Sequence, residues 1–240
     1  MKTGFNPTLI TALLALSTGL AGGQEIIAQH SGYNNPLNEG WSYYSIGQGG
    51  TVGGVTNNLG YNAWFISPIG DSGYDYSLST LTGLSWDLTI TIRIVTPNVP
   101  TGRFAATLFT GSEDFELYFG SLANGDPEVQ VGGGSYYSPL TLNGAGSTYN
   151  TYQLEYDASS DTASLWADGV ELEGGIVGYD TTSFPPELGW EGGWQGSGSI
   201  QANWSLVSLE IIPEPSSLAL LGLGGISAAL ILRKGKRNLL

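Results

Sequence analysis

Cysteine is absent from all 240 residues, and histidine occurs once, as His30. No disulfide, thiolate zinc site or cysteine nucleophile can therefore be built. A Ser-His-Asp triad or a histidine metal site would rest wholly on His30, at the ragged start of the mature chain. Basic residues are also scarce. Between Gln24 and Ile212 only Arg93 and Arg103 stand against 20 acidic residues, a balance of −18. Such a field opposes nucleic acid and anionic lipid and favours Ca2+ or neutral partners, while also serving solubility. Helical periodicity is missing outside the two termini, which excludes a helical bundle.

What is abundant is glycine, at 37 residues, together with aromatic side chains. That mixture suits a β-rich fold with many turns and can still build a core. The length allows one domain of good size. Met1–Gly23 reads as a secretory signal peptide: Lys2 in the n-region, an interrupted apolar run over Leu9–Leu20, and the small residues Ala21-Gly22-Gly23 before a mature start at Gln24. The apolar run is too short for a first transmembrane helix.

Alternation marks the strands. In Trp86–Val95 the residues Trp86, Leu88, Ile90, Ile92 and Ile94 share a face against Asp87, Thr89, Thr91 and Arg93. One buried and one wet face is the habit of antiparallel sheets. Strands are also expected at Ser42–Ile46, Asn62–Ser67, Arg103–Thr110, Phe115–Gly120 and Glu128–Val131. In the second diagnostic stretch, Thr151–Glu173, Tyr152, Leu154 and Tyr156 alternate with polar residues. Ala163–Ala167 returns, and Asp168-Gly169 suits a type I′ hairpin turn. Ile200–Ile211 closes the domain. Its apolar phase switches from Ile200, Ala202, Trp204 and Leu206 to Val207, Leu209 and Ile211, which predicts a bulge near Leu206-Val207. Gly70–Asp75 and Phe184–Gly198 are expected as loops. Nine or ten short strands imply a sandwich or barrel, an immunoglobulin-like sandwich among the alternatives.

The segment Tyr152-Gln-Leu-Glu-Tyr-Asp…Ala163-Ser-Leu-Trp-Ala-Asp-Gly-Val170 resembles a hairpin of concanavalin A-like and laminin-G-like domains, and Gly102-Arg103-Phe104…Phe115–Phe119 is similar to their preceding strands. Over residues 40–212 the resemblance implies an all-β, antiparallel jelly-roll sandwich.

Behind it, residues 213–240 have three parts: Pro213-Glu214-Pro215, an apolar run Ser216–Leu232, and the basic cluster Arg233, Lys234, Lys236 and Arg237. As a helix the run would reach roughly 25 Å, short but workable for a single transmembrane span because the basic ends can snorkel. The basic cluster places the C-terminus in the cytoplasm. The two prolines give a stiff, extended entry that a protease cleft could grip. The tail resembles the PEP-CTERM sorting signal of Gram-negative bacteria. That resemblance implies export across the inner membrane, transient anchoring there, and processing by an exosortase-type membrane enzyme before the cell surface or extracellular matrix is reached. A plain C-terminal anchor would give the same topology.

Site candidates follow from chemistry. Trp190 and Trp194 in one Gly-rich loop, with Tyr136 and Tyr137 in another, are candidates to stack on sugar rings, against a role in covering the core. Asp71, Asp75 and Asp126 offer hard oxygens that would suit Ca2+, although aspartate also forms turns unaided. Glu113 and Glu116 are the candidates for a glycoside hydrolase or lyase, with Glu116 sharing a face with Asp114 if Phe115 points inward. Gly49-Gly50 and Gly53-Gly54 are expected to punctuate turns, and Gly47–Gly54 and Gly132-Gly133-Gly134 lack the ending of a phosphate loop. The expected function is non-catalytic, lectin-like association with extracellular polysaccharide. The alternatives are a jelly-roll glycoside hydrolase or lyase, and a structural surface protein without a specific ligand.

Overall fold

Strand β6 (Ser85–Ile94) shows why the chain folds as it does. Trp86, Leu88 and Ile90 are fully buried while Asp87, Thr89 and Arg93 face outward, so one side of the strand seals a core and the other meets water. The computed structural model describes residues 24–46, 51–68, 71–132, 139–181, 184–192 and 200–213. Sixteen strands are numbered here along the chain. They form two antiparallel eight-stranded sheets, and Glu25–Ile211 makes one compact unit.

Sheet A runs β13 (Val170–Ile176), β12 (Thr162–Ala167), β11 (Asn150–Asp157), β6, β16 (Ala202–Ile212), β4 (Tyr61–Pro68), β3 (Thr51–Asn58), with β1 (Glu25–Ser31) also on β16. Sheet B runs β10 (Leu140–Thr141), β9 (Pro127–Gly132), β8 (Glu113–Ser121), β7 (Val99–Phe109), β15 (Glu187–Gly192), β5 (Asp71–Ser77), β2 (Ser42–Ile46), with β14 (Tyr179–Asp180) on β8. The expected all-β jelly-roll sandwich is the fold. Asp168 and Gly169, at φ 49° and 79°, make the predicted β12–β13 turn.

Between the sheets lies an aromatic core. Trp190 stacks on His30 and on Tyr74, both at 4.8 Å, and packs against Trp41 and Trp204. Trp86 stacks on Tyr156 at 5.2 Å and meets Phe115 edge-on. The phase switch in the last strand has a cause. β16 pairs with β4 up to Trp204 and with β1 from Leu206, so the strand shifts phase where it changes partner. β1 also sets Glu25 opposite Ile211, so the chain enters and leaves the unit through neighbouring strands of sheet A.

Three expectations fail. His30 is not at a ragged end: it is fully buried in β1, its Nδ1 2.6 Å from Glu39 Oε2, because β1 completes sheet A. Gly70–Asp75 and Phe184–Gly198 are not simply loops, since strands β5 and β15 are embedded in them. β15 is central to sheet B, with Leu188 and Trp190 buried. Gly53 and Gly54 do not mark a turn either. They lie within β3, where the Trp64 and Phe65 rings occupy the space a Cβ would need.

Candidate functional site

The outer face of sheet B brings together acidic side chains from three strands. Inward burial of Phe115, Leu117 and Phe119 turns Asp114, Glu116 and Tyr118 outward on β8. Strand pairing then aligns residues into three cross-strand rows. One row is Tyr44, Gly73, Glu191, Ala105, Tyr118 and Gln130. The next is Ser42, Asp75, Gly189, Thr107, Glu116 and Gly132. The third is Ser77, Glu187, Phe109, Asp114 and Tyr179. At about 4.8 Å per strand the longer rows span roughly 24 Å.

Glycines make room for the acids. A Cβ on Gly189 would lie 2.9 Å from Asp75 Oδ1. On Gly132 it would lie 2.8 Å from Glu116 Oε2 and 2.7 Å from the Tyr118 ring. The acids thus lean across a floor without side chains of its own. Two tyrosines steady them: the Tyr118 hydroxyl donates to Glu116, and the Tyr44 hydroxyl to Glu191.

Crowding like charges over a half-buried floor raises their proton affinity. Asp75 is pushed up to about 7 by burial, with Glu187 and Glu191 adding to it. Asp114 is pushed up to about 7 by burial and the neighbouring Glu116. Burial also raises Glu187. Asp114 is only 7% exposed, and its Oδ1 has no hydrogen-bond partner among the described residues. A buried acceptor left open costs about 1–3 kcal/mol unless something donates to it.

The candidates named from sequence fare unevenly. Trp190 is fully buried in β15 and cannot stack on a ligand; its place is the core, because Leu188 and Trp190 take the inward positions of a central strand. Trp194, Tyr136 and Tyr137 lie outside the described residues. Glu113 and Glu116 face opposite ways. Glu113 is set against Tyr156 and Asp161, where burial raises its proton affinity, and the pair sharing a face is Asp114 and Glu116. Asp71 and Asp75 belong to strand β5, far in the strand order from Asp126 in the β8–β9 turn. The three form no cage, and no cluster among the described residues could hold a metal ion. Asp126 instead clasps a loop, accepting from the backbone of Gly144 at 3.0 Å and Gly146 at 2.8 Å, which holds its carboxyl low. Asp75, Glu187 and Glu191 as parts of one face were missed; only their pairing across β5 and β15 brings them together.

The tail and the fold each have counterparts. Residues 212–237 match the PEP-CTERM protein-sorting motif. This motif indicates export, sorting to the cell envelope and processing by an exosortase. The segment 214–240 lies outside the described residues, and no helix among those described is long and apolar enough to cross a membrane. No curated protein matches the chain by sequence. The fold is shared with solved structures of low identity. A carbohydrate esterase of the Shiga toxin-encoding bacteriophage phi24B is 11% identical at TM-score 0.60, over 80% of this chain and all of that one. The CBM2 module of the evolved Dit of Lactobacillus casei BL23 phage J-1 is 12% identical at TM-score 0.54, over 80% and 97%. Domain 4 of AbnA, a GH43 extracellular arabinanase of Geobacillus stearothermophilus solved with arabinotriose, is 11% identical at TM-score 0.52, over 80% and 96%.

Proposed function

We propose that this is an exported envelope protein whose sheet B outer face binds carbohydrate, tying the protein to extracellular polysaccharide. The observation that carries the reading is the face itself: carboxylates and tyrosines over a glycine floor, with Asp114 Oδ1 buried and unpartnered. Carboxylates accept strongly from sugar hydroxyls, and tyrosine rings lie on sugar faces. Trp194, Tyr136 and Tyr137 are the further aromatic candidates. The structural neighbours, a carbohydrate esterase and a domain solved with arabinotriose among them, agree with it.

In the same reading, Met1–Gly23 is removed on export, 216–232 spans the inner membrane transiently, and cleavage near Pro213-Glu214-Pro215 releases the domain to the surface or matrix. A glycan array probed with the full-length chain in mild detergent tests the binding. Saturable binding weakened by Glu116→Gln supports it, and silence across the array leaves a structural surface protein. Intact-mass measurement tests the tail: surface protein still carrying Lys236 would refute processing.

A second reading, a glycoside hydrolase, is favoured by one observation. Asp114, pushed up to about 7, stands beside Glu116, and a protonated acid next to a second carboxyl is what glycosidic cleavage needs. Sugar release lost in Asp114→Asn would establish it.

A further inference from the structure

The face holds five carboxyl groups spread over its three rows: Glu191 in the first, Asp75 and Glu116 in the second, Glu187 and Asp114 in the third. The domain has two basic side chains to set against them. Arg93 is turned to the outer side of sheet A, where its Nε donates to the Ser147 carbonyl at 3.0 Å. Arg103 stands on β7 two residues before Ala105, at the margin of the face. Within the three rows no position is basic.

An excess of acid does not by itself define a ligand, because acidic surfaces also keep proteins soluble. Asp114 supplies what the excess lacks. Its neighbours Glu113 and Phe115 point toward the other sheet, so its carboxyl points into the face. There it is more than nine-tenths buried, with Oδ1 lacking any donor. A surface carboxylate kept for solubility would be hydrated. This one is held dry beside a second carboxyl, Glu116, in a position a donor must complete.

Resting on the carbohydrate reading above, we propose that the sheet B face selects polysaccharide bearing free amino groups and rejects polysaccharide bearing carboxylates. An ammonium group carries three donors and a positive charge, so one group can satisfy Asp114 Oδ1 and relieve its repulsion with Glu116. A sugar hydroxyl offers one donor and no charge. A uronic acid brings another negative group against five, and like charges brought together at an interface are strongly disfavoured. The glycine floor suits such a ligand, since Gly189 and Gly132 let a chain approach the Asp75 and Glu116 carboxyls from above. Burial raises the proton affinities of Asp75 and Asp114, and the neighbouring acids add to it.

The test measures binding of three probes of equal length to the full-length chain in mild detergent. The probes are β-1,4-linked glucosamine oligomers, their N-acetylated counterparts and oligogalacturonate, titrated calorimetrically near neutral pH at low and high salt. The expected order is glucosamine above N-acetylglucosamine by about tenfold at low salt, with that margin shrinking at high salt. Oligogalacturonate should not bind. The margin should vanish in Glu116→Gln and fall in Glu191→Gln and Asp114→Asn, each checked for an unchanged circular dichroism spectrum. It should survive Glu155→Gln on the outer side of sheet A. Equal affinity for the amino and acetylated probes, or preference for the uronate, overturns the charge selection while leaving the carbohydrate reading standing. A margin that persists in Glu116→Gln and Glu191→Gln places selection elsewhere and overturns it as well. If none of the probes binds, and the glycan array is silent, both the selection and the carbohydrate reading fall.

Discussion

The two sheets have outer faces built to one plan and finished differently. On sheet A, polar side chains find each other across the strands. Thr89 and Gln153 donate to Asp87, Thr91 and Thr151 share a hydrogen bond of 3.0 Å, and Arg93 is held by Ser147. What the outer side of sheet A leaves open among the described residues is neutral: the buried Nδ2 of Asn203, Oγ of Ser208 and Nε1 of Trp166. On sheet B the acids face acids, and a carboxylate oxygen is the group left open. One face is solved internally, and the other leaves a carboxylate oxygen open among the described residues. The difference teaches where to look for function in a fold whose core is the same on both sides.

The largest effect that separates scaffold from site comes from Trp190. It belongs to the core between the faces, stacked between His30 and Tyr74. Trp190→Ala should cost about 3–5 kcal/mol. In a domain of this size that lowers Tm by on the order of 10 °C in calorimetry. Glycan affinity of the protein that remains folded should change little. Affinity lost with Tm intact would put Trp190 in the site after all.

Next in size is the pH dependence of stability. Asp75 and Asp114 have folded-state values of about 7, well above an unfolded aspartate. As pH rises past about 4 the unfolded chain releases these protons while the folded chain keeps them. Stability therefore falls from about pH 4 to 7 and levels off above. His30 acts in the opposite sense. Burial lowers its proton affinity, so its contribution is full above about 6.5 and is lost as pH drops below that. Asp114→Asn and Asp75→Asn should each raise Tm more at pH 8 than at pH 5. Burial also raises Asp87, and Glu155 and Glu210 add to it, but hydrogen bonds from Thr89 and Gln153 counter the rise, so Asp87→Asn should change the slope less. Equal slopes for Asp87→Asn and Asp114→Asn would erase the contrast between the faces.

The contrast was only partly legible beforehand. β6, β8, β11 and β12 announce themselves because apolar and polar residues alternate without interruption. The change of partner along β16 left a local trace because the apolar phase slips, although the irregularity in its pairing with β1 falls in β1, between Ile26 and Ala28. β5 and β15 were hidden because glycine occupies outward places, Gly73 and Gly189, where a polar residue would have completed the alternation. That misreading put Trp190 on a loop. β1 was hidden because His30 is an inward residue of an unexpected type. Of the site, only the Asp114–Glu116 spacing could be read locally. Asp75, Glu187 and Glu191 join it through pairings between residues about 70 to 150 positions apart in other cases on the same face, such as Tyr44 with Glu191. Those pairings are set by the order of strands, which alternation within a strand does not encode.

The smallest effect on stability should be the most informative for the face. Gly132 ends β9 opposite Glu116, and the atoms nearest to a methyl group there are the Tyr118 ring, the Glu116 carboxyl and, at 3.1 Å, Glu116 Cβ. Long side chains can swing aside, so Gly132→Ala should alter stability by about 1 kcal/mol or less. The swing nonetheless moves the Glu116–Tyr118 pair off the floor, and glycan affinity should fall several-fold, about as far as Glu116→Gln takes it. Gly54→Ala is the matching change on sheet A, where the methyl would meet the Phe65 ring at 3.0 Å. It should leave glycan affinity untouched. If both substitutions weaken binding alike, the loss comes from general loosening of the sandwich and sheet B has no privileged face. If only Gly132→Ala does so, the glycine floor positions the acids, and the two outer faces differ in what they are for.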